Sequence, residues 1–179
     1  MIFVTVGTQL PFDRLISAVD GWAAVTGARD VFAQIGPGAY VPQHIESGAF
    51  IAPEECRRRM EEADAIVAHA GMGTIISALQ LGKPIVVMPR RAALGEHRND
   101  HQLATARRFR ELGSVLVAED AGELTACLSQ VAALTPGERI SPYASPQLID
   151  ALSAFIGGSA APARLARDDA PALTARTAA

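Results

Sequence analysis

Ala65-Ile66-Val67-Ala68-His69-Ala70-Gly71-Met72-Gly73-Thr74-Ile75-Ile76 is the stretch that decides the fold. Ala65–Ala68 is a short, wholly apolar run, the pattern of a strand buried on both faces. Ile75, Ile76 and Leu79 then fall on one helical face, which predicts a helix from about Thr74 to Leu81. Gly82 fits its C-cap and Lys83-Pro84 stops it. Between strand and helix stand two glycines with one residue between them. Gly71 and Gly73 remove Cβ atoms, so an anion can come close to the backbone. The N–H groups of a helix's first turn lack partners, and the helix dipole there favours negative charge. Thr74 can cap the helix or give its hydroxyl to a phosphate oxygen. On spacing alone a phosphate seat and a plain tight turn fit equally well. The dinucleotide fingerprint is not matched, because Ile76 stands where its third glycine would be, and the P-loop pattern is absent.

The same alternation extends both ways along the chain. Strands are expected at Ile2–Val6, Val31–Ile35, near Ala49–Ile51, at Ile85–Met88 and at Val115–Val117. Helices are expected through Phe12–Trp22, from Pro53 to about Ala63, from about His101 to Leu112, over Leu124–Leu134 and near Gln147–Phe155. Strand, helix, strand, helix is the signature of a parallel α/β sheet covered on both faces. From about Gly157 the chain turns to Ala, Pro, Arg and Asp. Residues 157–179 therefore read as a disordered tail behind one domain over 1–156.

Composition narrows the function. The chain carries a net charge of −3 and only 5% aromatic residues, which argues against a nucleic-acid binder. Cys56 and Cys127 are far apart and form no metal or disulfide framework, so a reducing compartment fits. The start of the chain reads as a strand and not as a signal peptide, and no apolar run reaches a membrane span.

Ligands of parallel α/β sheets sit at the carboxyl ends of the strands. Besides the glycine turn, two loops there are unusual. Gly7-Thr8-Gln9 follows the first strand. Pro89–Gln102 is long and polar, with Gly95-Glu96-His97-Arg98-Asn99-Asp100-His101-Gln102 in it. Such density of donors and acceptors suits a sugar. His97 and His101 are four apart, as in part of a zinc site, but a third ligand is hard to find and no metal is expected. Asp100 stands near a helix N-cap. Arg57-Arg58-Arg59 could meet lipid headgroups, but Glu54, Glu55, Glu61 and Glu62 around it favour a solvated helix face. Arg90 and Arg91 are better placed for phosphate contact.

Several of these stretches together resemble a known family. His69-Ala70-Gly71-Met72-Gly73-Thr74-Ile75-Ile76, Ala78-Leu79 and Gly82-Lys83-Pro84 are similar to the C-terminal, donor-binding domain of family 28 glycosyltransferases. Phe3–Thr8, Phe12–Ile16 and Gln34-Ile35-Gly36 resemble the small subunit of two-part transferases. That group includes the eukaryotic enzyme that adds the second N-acetylglucosamine to a dolichol-linked sugar. Pro89-Arg90, Gly95-Glu96-His97 and Asp100-His101-Gln102 look closer still to bacterial exopolysaccharide subunits. The resemblance spans about residues 1–120.

It implies a Rossmann-like domain, the C-terminal half of a GT-B fold. A UDP-sugar would be a substrate, with no cofactor needed. Its diphosphate would sit on Gly71, Met72, Gly73 and Thr74, beside His69. Gly7 and Thr8 would face the donor, with Gln34 near them. Arg90, Glu96, His97, Asp100, His101 and Gln102 would contact the sugar or its phosphates. Many relatives carry Glu three residues after Thr74 to bind the ribose, and here Ser77 stands there. The implied reaction is inverting transfer to a lipid-diphosphate-linked sugar. A separate, membrane-anchored subunit would hold that acceptor, keeping this chain cytoplasmic and peripheral to the membrane.

Inverting transfer needs a general base and stabilisation of the leaving diphosphate. Glu96 and His97 are candidate bases, and the partner subunit is a third source. Two rival readings stand beside this one: a non-catalytic scaffolding or regulatory subunit, and a sugar-nucleotide epimerase, which the length disfavours.

Overall fold

The computed structural model describes residues 1–113, 115–131 and 139–157. The expected tail, and the end of the helix placed over Leu124–Leu134, fall outside the described residues. Six strands form one all-parallel sheet: β1 (Ile2–Thr5), β2 (Val31–Gln34), β3 (Glu46–Gly48), β4 (Ala65–His69), β5 (Ile85–Met88) and β6 (Leu116–Val117). Their order in space is β3-β2-β1-β4-β5-β6. The helices are α1 (Asp13–Thr26), α2 (Pro53–Glu62), α3 (Met72–Leu81), α4 (His101–Glu111), α5 (Ala121–Val131) and α6 (Pro146–Ile156).

Strand side chains alternate between two faces, and each face has its own core. Val4, Ala33, Val67 and Val86 pack against α1 and α5 through Leu15, Ile16, Val19, Leu124 and Leu128. Phe3, Ile66, Ala68 and Val87 pack on the other side against Met60 of α2, Ile75 and Ala78 of α3, and Ala106 of α4. This double cover is why β1, β4 and β5 read as continuous apolar runs in the sequence.

Two expectations shift, and the arginine run pairs with the glutamates around it. The third strand is Glu46–Gly48, not Ala49–Ile51. It lies at the sheet edge and needs no apolar run, because its backbone alone completes the ladder to Phe32–Gln34. The third helix begins at Met72, two residues before Thr74. Arg58 of the arginine run closes on Glu55 and Glu62, while Arg59 pairs with Glu55 and lies 3.4 Å from the Phe32 ring centre, so both cations are taken up locally.

One buried polar group shapes the β2–β3 connection. Asp20 sits in the inward stripe of α1 and accepts the N–H groups of Gln43 (3.1 Å) and His44 (2.7 Å) and the Tyr40 hydroxyl (2.8 Å). Burial alone would raise its pKa, but these hydrogen bonds overcome it and hold the carboxyl below its usual range. At the other end of the chain, α6 buries none of its residues. Leu148, Ile149, Leu152, Phe155 and Ile156 recur at helical spacing and are exposed. Among the described residues, no helix is long and apolar enough to cross a membrane.

Candidate active site at the sheet switch point

β1 pairs with β2 on one side and β4 on the other, so the winding reverses between β1 and β4. The loops leaving these two strands part there and open a crevice at their carboxyl ends. A cavity of about 550 Å³ fills it, which suits a nucleotide-sized ligand. It is lined by the loop after β1 (Val6–Leu10), Gln34 at the end of β2, the β4–α3 turn and the segment after β5. A groove of about 450 Å³ runs on between α2 and α3, and Thr8, Gln34 and Ser77 belong to both spaces.

The turn itself is an open helix start. Gly71 is the N-cap in extended conformation and offers no side-chain cap. The first intrahelical bond runs from the Ile75 N–H to the Gly71 carbonyl at 3.1 Å. The N–H groups of Met72, Gly73 and Thr74 therefore have no acceptor within the helix. Thr74 is the third helical residue and not the cap; its side chain lines the cavity. The two glycines also differ in purpose. A Cβ on Gly73 would meet no heavy atom within 4 Å, so this glycine faces open space on the cavity lining. A Cβ on Gly71 would overlap the His69 ring, so that glycine makes room for an imidazole and not for phosphate. Gly7, at φ 76°, is pressed by the same ring: its Cβ would stand 2.7 Å from His69 Cε1.

His69 is thus wedged between the two loops of the crevice. Burial pushes its pKa down to about 4; Arg90 and His97 push the same way, and the Thr5 backbone opposes them. The imidazole is neutral at neutral pH, and its Nδ1 is buried without a partner. As pH falls below the ordinary histidine value of 6.5, the unfolded chain takes up a proton first. Stability is therefore lost as pH falls from 6.5 towards 4, by roughly 3 kcal/mol in full. Urea unfolding at pH 7.5, 5.5 and 4.5 should show this loss, and His69→Gln should flatten it. Equal pH slopes in the two proteins would contradict the assignment.

The cavity floor is hydrogen-bonded. The Thr5 hydroxyl donates to Gln34 Oε1 (3.3 Å) and accepts the Gly7 N–H (3.1 Å), which ties the ends of β1 and β2 together. Arg90 is buried, and one of its guanidinium nitrogens donates to the carbonyls of Val6 (2.8 Å) and Leu10 (2.6 Å). It lines the cavity, yet part of its fork is committed to holding the β1 loop. Arg91 instead turns to the Glu119 carbonyl at 3.0 Å. Gln102 Oε1 accepts the Arg90 N–H at 3.1 Å. His97 and His101 stand edge to face, 4.5 Å between ring centres, and both line the cavity. Burial, then His101, Arg90 and Arg98, lower the His97 pKa. Among the described residues, no three His, Cys, Asp or Glu side chains are grouped to hold a metal ion.

Gly7, Thr8, Gln34, His69, Gly71, Gly73, Thr74, Ser77, Arg90, His97, His101 and Gln102 all line this cavity. Three expected residues do not. The Met72 side chain is exposed outside it. Asp100 occupies the N-cap position of α4, but its carboxylate accepts the Ala92 N–H at 2.8 Å. Glu96 is bound by Arg14, with Nε–Oε1 at 2.6 Å. Sequence reasoning passed over Arg14 as a functional residue, because nothing local marks a partner 82 positions away.

Comparison with known proteins gives the chain its relatives. Residues 1–133 match the family described as glycosyltransferase family 28 C-terminal domain. The chain is 30% identical over 122 residues to the human UDP-N-acetylglucosamine transferase subunit ALG13, covering 63% of this chain and 10% of that protein. Against the Yarrowia lipolytica subunit of the same name it is 26% identical over 133 residues, covering 67% and 65%. The chain thus spans about a tenth of the human relative. Among solved structures, an NMR structure of ALG13 superposes with TM-score 0.54 at 21% identity, over 84% of this chain and 93% of that one. The glycotransferase of kitacinnamycin gives TM-score 0.56 at 22% identity, over 74% and 34%.

Proposed function

The chain belongs to the glycosyltransferase family 28 C-terminal domain family, and from that premise we propose that it is the donor-binding subunit of an inverting glycosyltransferase. Its fold is the Rossmann-like C-terminal half of the GT-B architecture. The donor is a UDP-sugar, and the acceptor is a lipid-diphosphate-linked sugar in exopolysaccharide or capsule synthesis. One observation carries the reading: the unpaired N–H groups of Met72–Thr74 stand beside a nucleotide-sized cavity at the sheet switch point. A diphosphate accepts hydrogen bonds from such a helix start, and the same groups stabilise it as a leaving group. The adjoining groove past Ser77 supplies space for the nucleoside.

The site lacks an evident base. Among the described residues, no carboxylate lines the cavity, and Glu96 is taken by Arg14. His97 remains, and otherwise a second subunit brings the base with the acceptor. The exposed apolar stripe of α6 supports a partner, since a contiguous apolar face of this kind marks an interface. The relatives named above are themselves described as subunits. In this reading the partner is membrane-anchored and this chain is cytoplasmic, held at the membrane through it.

The test is transfer from UDP-sugars to a lipid-diphosphate acceptor, with the purified chain alone and with the partner added. Transfer only in the pair supports the proposal; full transfer by the chain alone overturns the two-subunit part of it. Ser77, in place of a ribose-binding carboxylate, favours one second reading: a scaffolding subunit that keeps the fold without productive donor binding. Calorimetric titration separates the two, because a scaffold shows no heat with millimolar UDP.

A further inference from the structure

We propose that Arg14 is a positioning residue of the donor site, a guanidinium clamp that holds the 89–102 segment against the cavity by binding Glu96. The proposal rests on the donor-site reading above. The segment between β5 and α4 carries His97 to the cavity and leads into His101 and Gln102. Its regular structure is one 3-10 turn, Ala92–Leu94, closed by Gly95 at φ 70°. A connection of this length does not hold one shape by itself, since every ordered residue gives up backbone entropy. Side chains must hold it.

Arg14, on the first turn of α1, is the anchor from outside the segment that reaches its middle. Its Nε and one terminal nitrogen take the two Glu96 carboxylate oxygens at 2.6 and 2.8 Å. That same terminal nitrogen donates to the Pro89 carbonyl at 2.9 Å, and the other donates to the Glu119 carbonyl at 3.1 Å. One planar fork thus joins the start of the segment, its middle and the β6–α5 junction. A lysine cannot reproduce this, because it presents a point charge and no fork. Glu96 passes the constraint on: its second oxygen also accepts the Arg91 N–H at 2.9 Å, which folds the 91–96 turn back on itself. His97 is the next residue. The pair is well shielded, with side chains 23% and 11% exposed, so it is not an ordinary surface ion pair. Glu96 therefore serves the site through His97's position and not as a base.

The experiment uses the full chain. UDP and UDP-sugar affinities are measured by calorimetry for wild type, Arg14→Ala, Glu96→Ala and the double variant. The clamp predicts about tenfold weaker binding in each single variant and a loss in the double well short of the product of the two, because the Arg14–Glu96 pair is removed in all three while the Pro89, Glu119 and Arg91 bonds are not shared. Amide exchange should quicken at Arg91 in each variant. With the partner present, donor KM should rise while kcat stays near wild type. Wild-type affinity in Arg14→Ala, or losses that multiply in the double variant, would overturn the proposal. If Arg14→Ala fails to fold, Arg14→Lys serves: weaker binding and faster Arg91 exchange support the clamp, and wild-type values of both refute it. A wild-type chain that binds no UDP would sink the donor-site reading, while the Arg91 exchange rates would still report on the clamp.

Discussion

Gly73→Val should abolish UDP binding while leaving the fold intact. The position sits in the first turn of α3, on the cavity lining, and a Cβ added there meets no heavy atom within 4 Å. A valine points its methyl groups into the space that the diphosphate needs, without striking the core. Two hydrogen bonds from helix N–H groups to a charged phosphate are worth about 1.5–3 kcal/mol each. Losing both weakens binding by roughly a hundredfold or more. The helix loses little, since the propensity difference between glycine and valine is below about 1 kcal/mol and favours valine. Thermal unfolding should therefore stay within a few degrees of wild type while calorimetric heat with UDP disappears. Gly71→Ala should behave in the opposite way: its Cβ strikes the His69 ring, so it disturbs the wedge between the two loops before it meets any ligand.

Arg90→Met is expected to damage both the fold and the site. It leaves the carbonyls of Val6 and Leu10 without their buried donor, at about 1–3 kcal/mol for each orphaned group. The guanidinium also lies 4.9 Å from the Phe12 ring centre, a contact that methionine replaces only as an apolar stem. A total near 2–6 kcal/mol lowers the melting temperature by roughly 5–25 °C in a chain of this size. Arg90 is the one arginine or lysine among the described residues lining the cavity, so UDP affinity should fall about tenfold or more. Uridine, which carries no phosphate, should lose less affinity than UDP in the variant. An unchanged melting temperature would mean that the two carbonyl bonds contribute nothing.

Much of the fold was legible because buried parallel strands leave a direct mark. Ile66-Val67-Ala68 and Ile85-Val86-Val87 are apolar at every position since each face meets its own core. The third strand left no such mark. Glu46-Ser47-Gly48 is polar because an edge strand is recruited by its backbone, and the more apolar Ala49–Ile51 beside it drew the expectation instead. The open helix start was legible as glycines at a strand–helix boundary, but the different surroundings of the two glycines were not. Only the placement of the His69 ring shows that Gly71 yields to an imidazole, while Gly73 faces open space.

Long-range polar pairs were the least legible. Glu96 in a loop of site residues reads as a chemical group, and its engagement by Arg14 depends on how α1 is laid against the sheet. Asp20 is different, since a carboxylate within the apolar stripe of Leu15, Ile16, Val19 and Ala23 is itself a sign of a buried tether.

If the open start of α3 at the β1–β4 switch point seats a nucleotide diphosphate, its amides must respond to one. Amide chemical shifts of the labelled chain during UDP titration test this most directly. The largest shifts should fall on Gly73 and Thr74, followed by Gly7 and Thr8, and uridine alone should not produce them. Saturable UDP binding that leaves the Met72–Thr74 amides unmoved would contradict the phosphate seat.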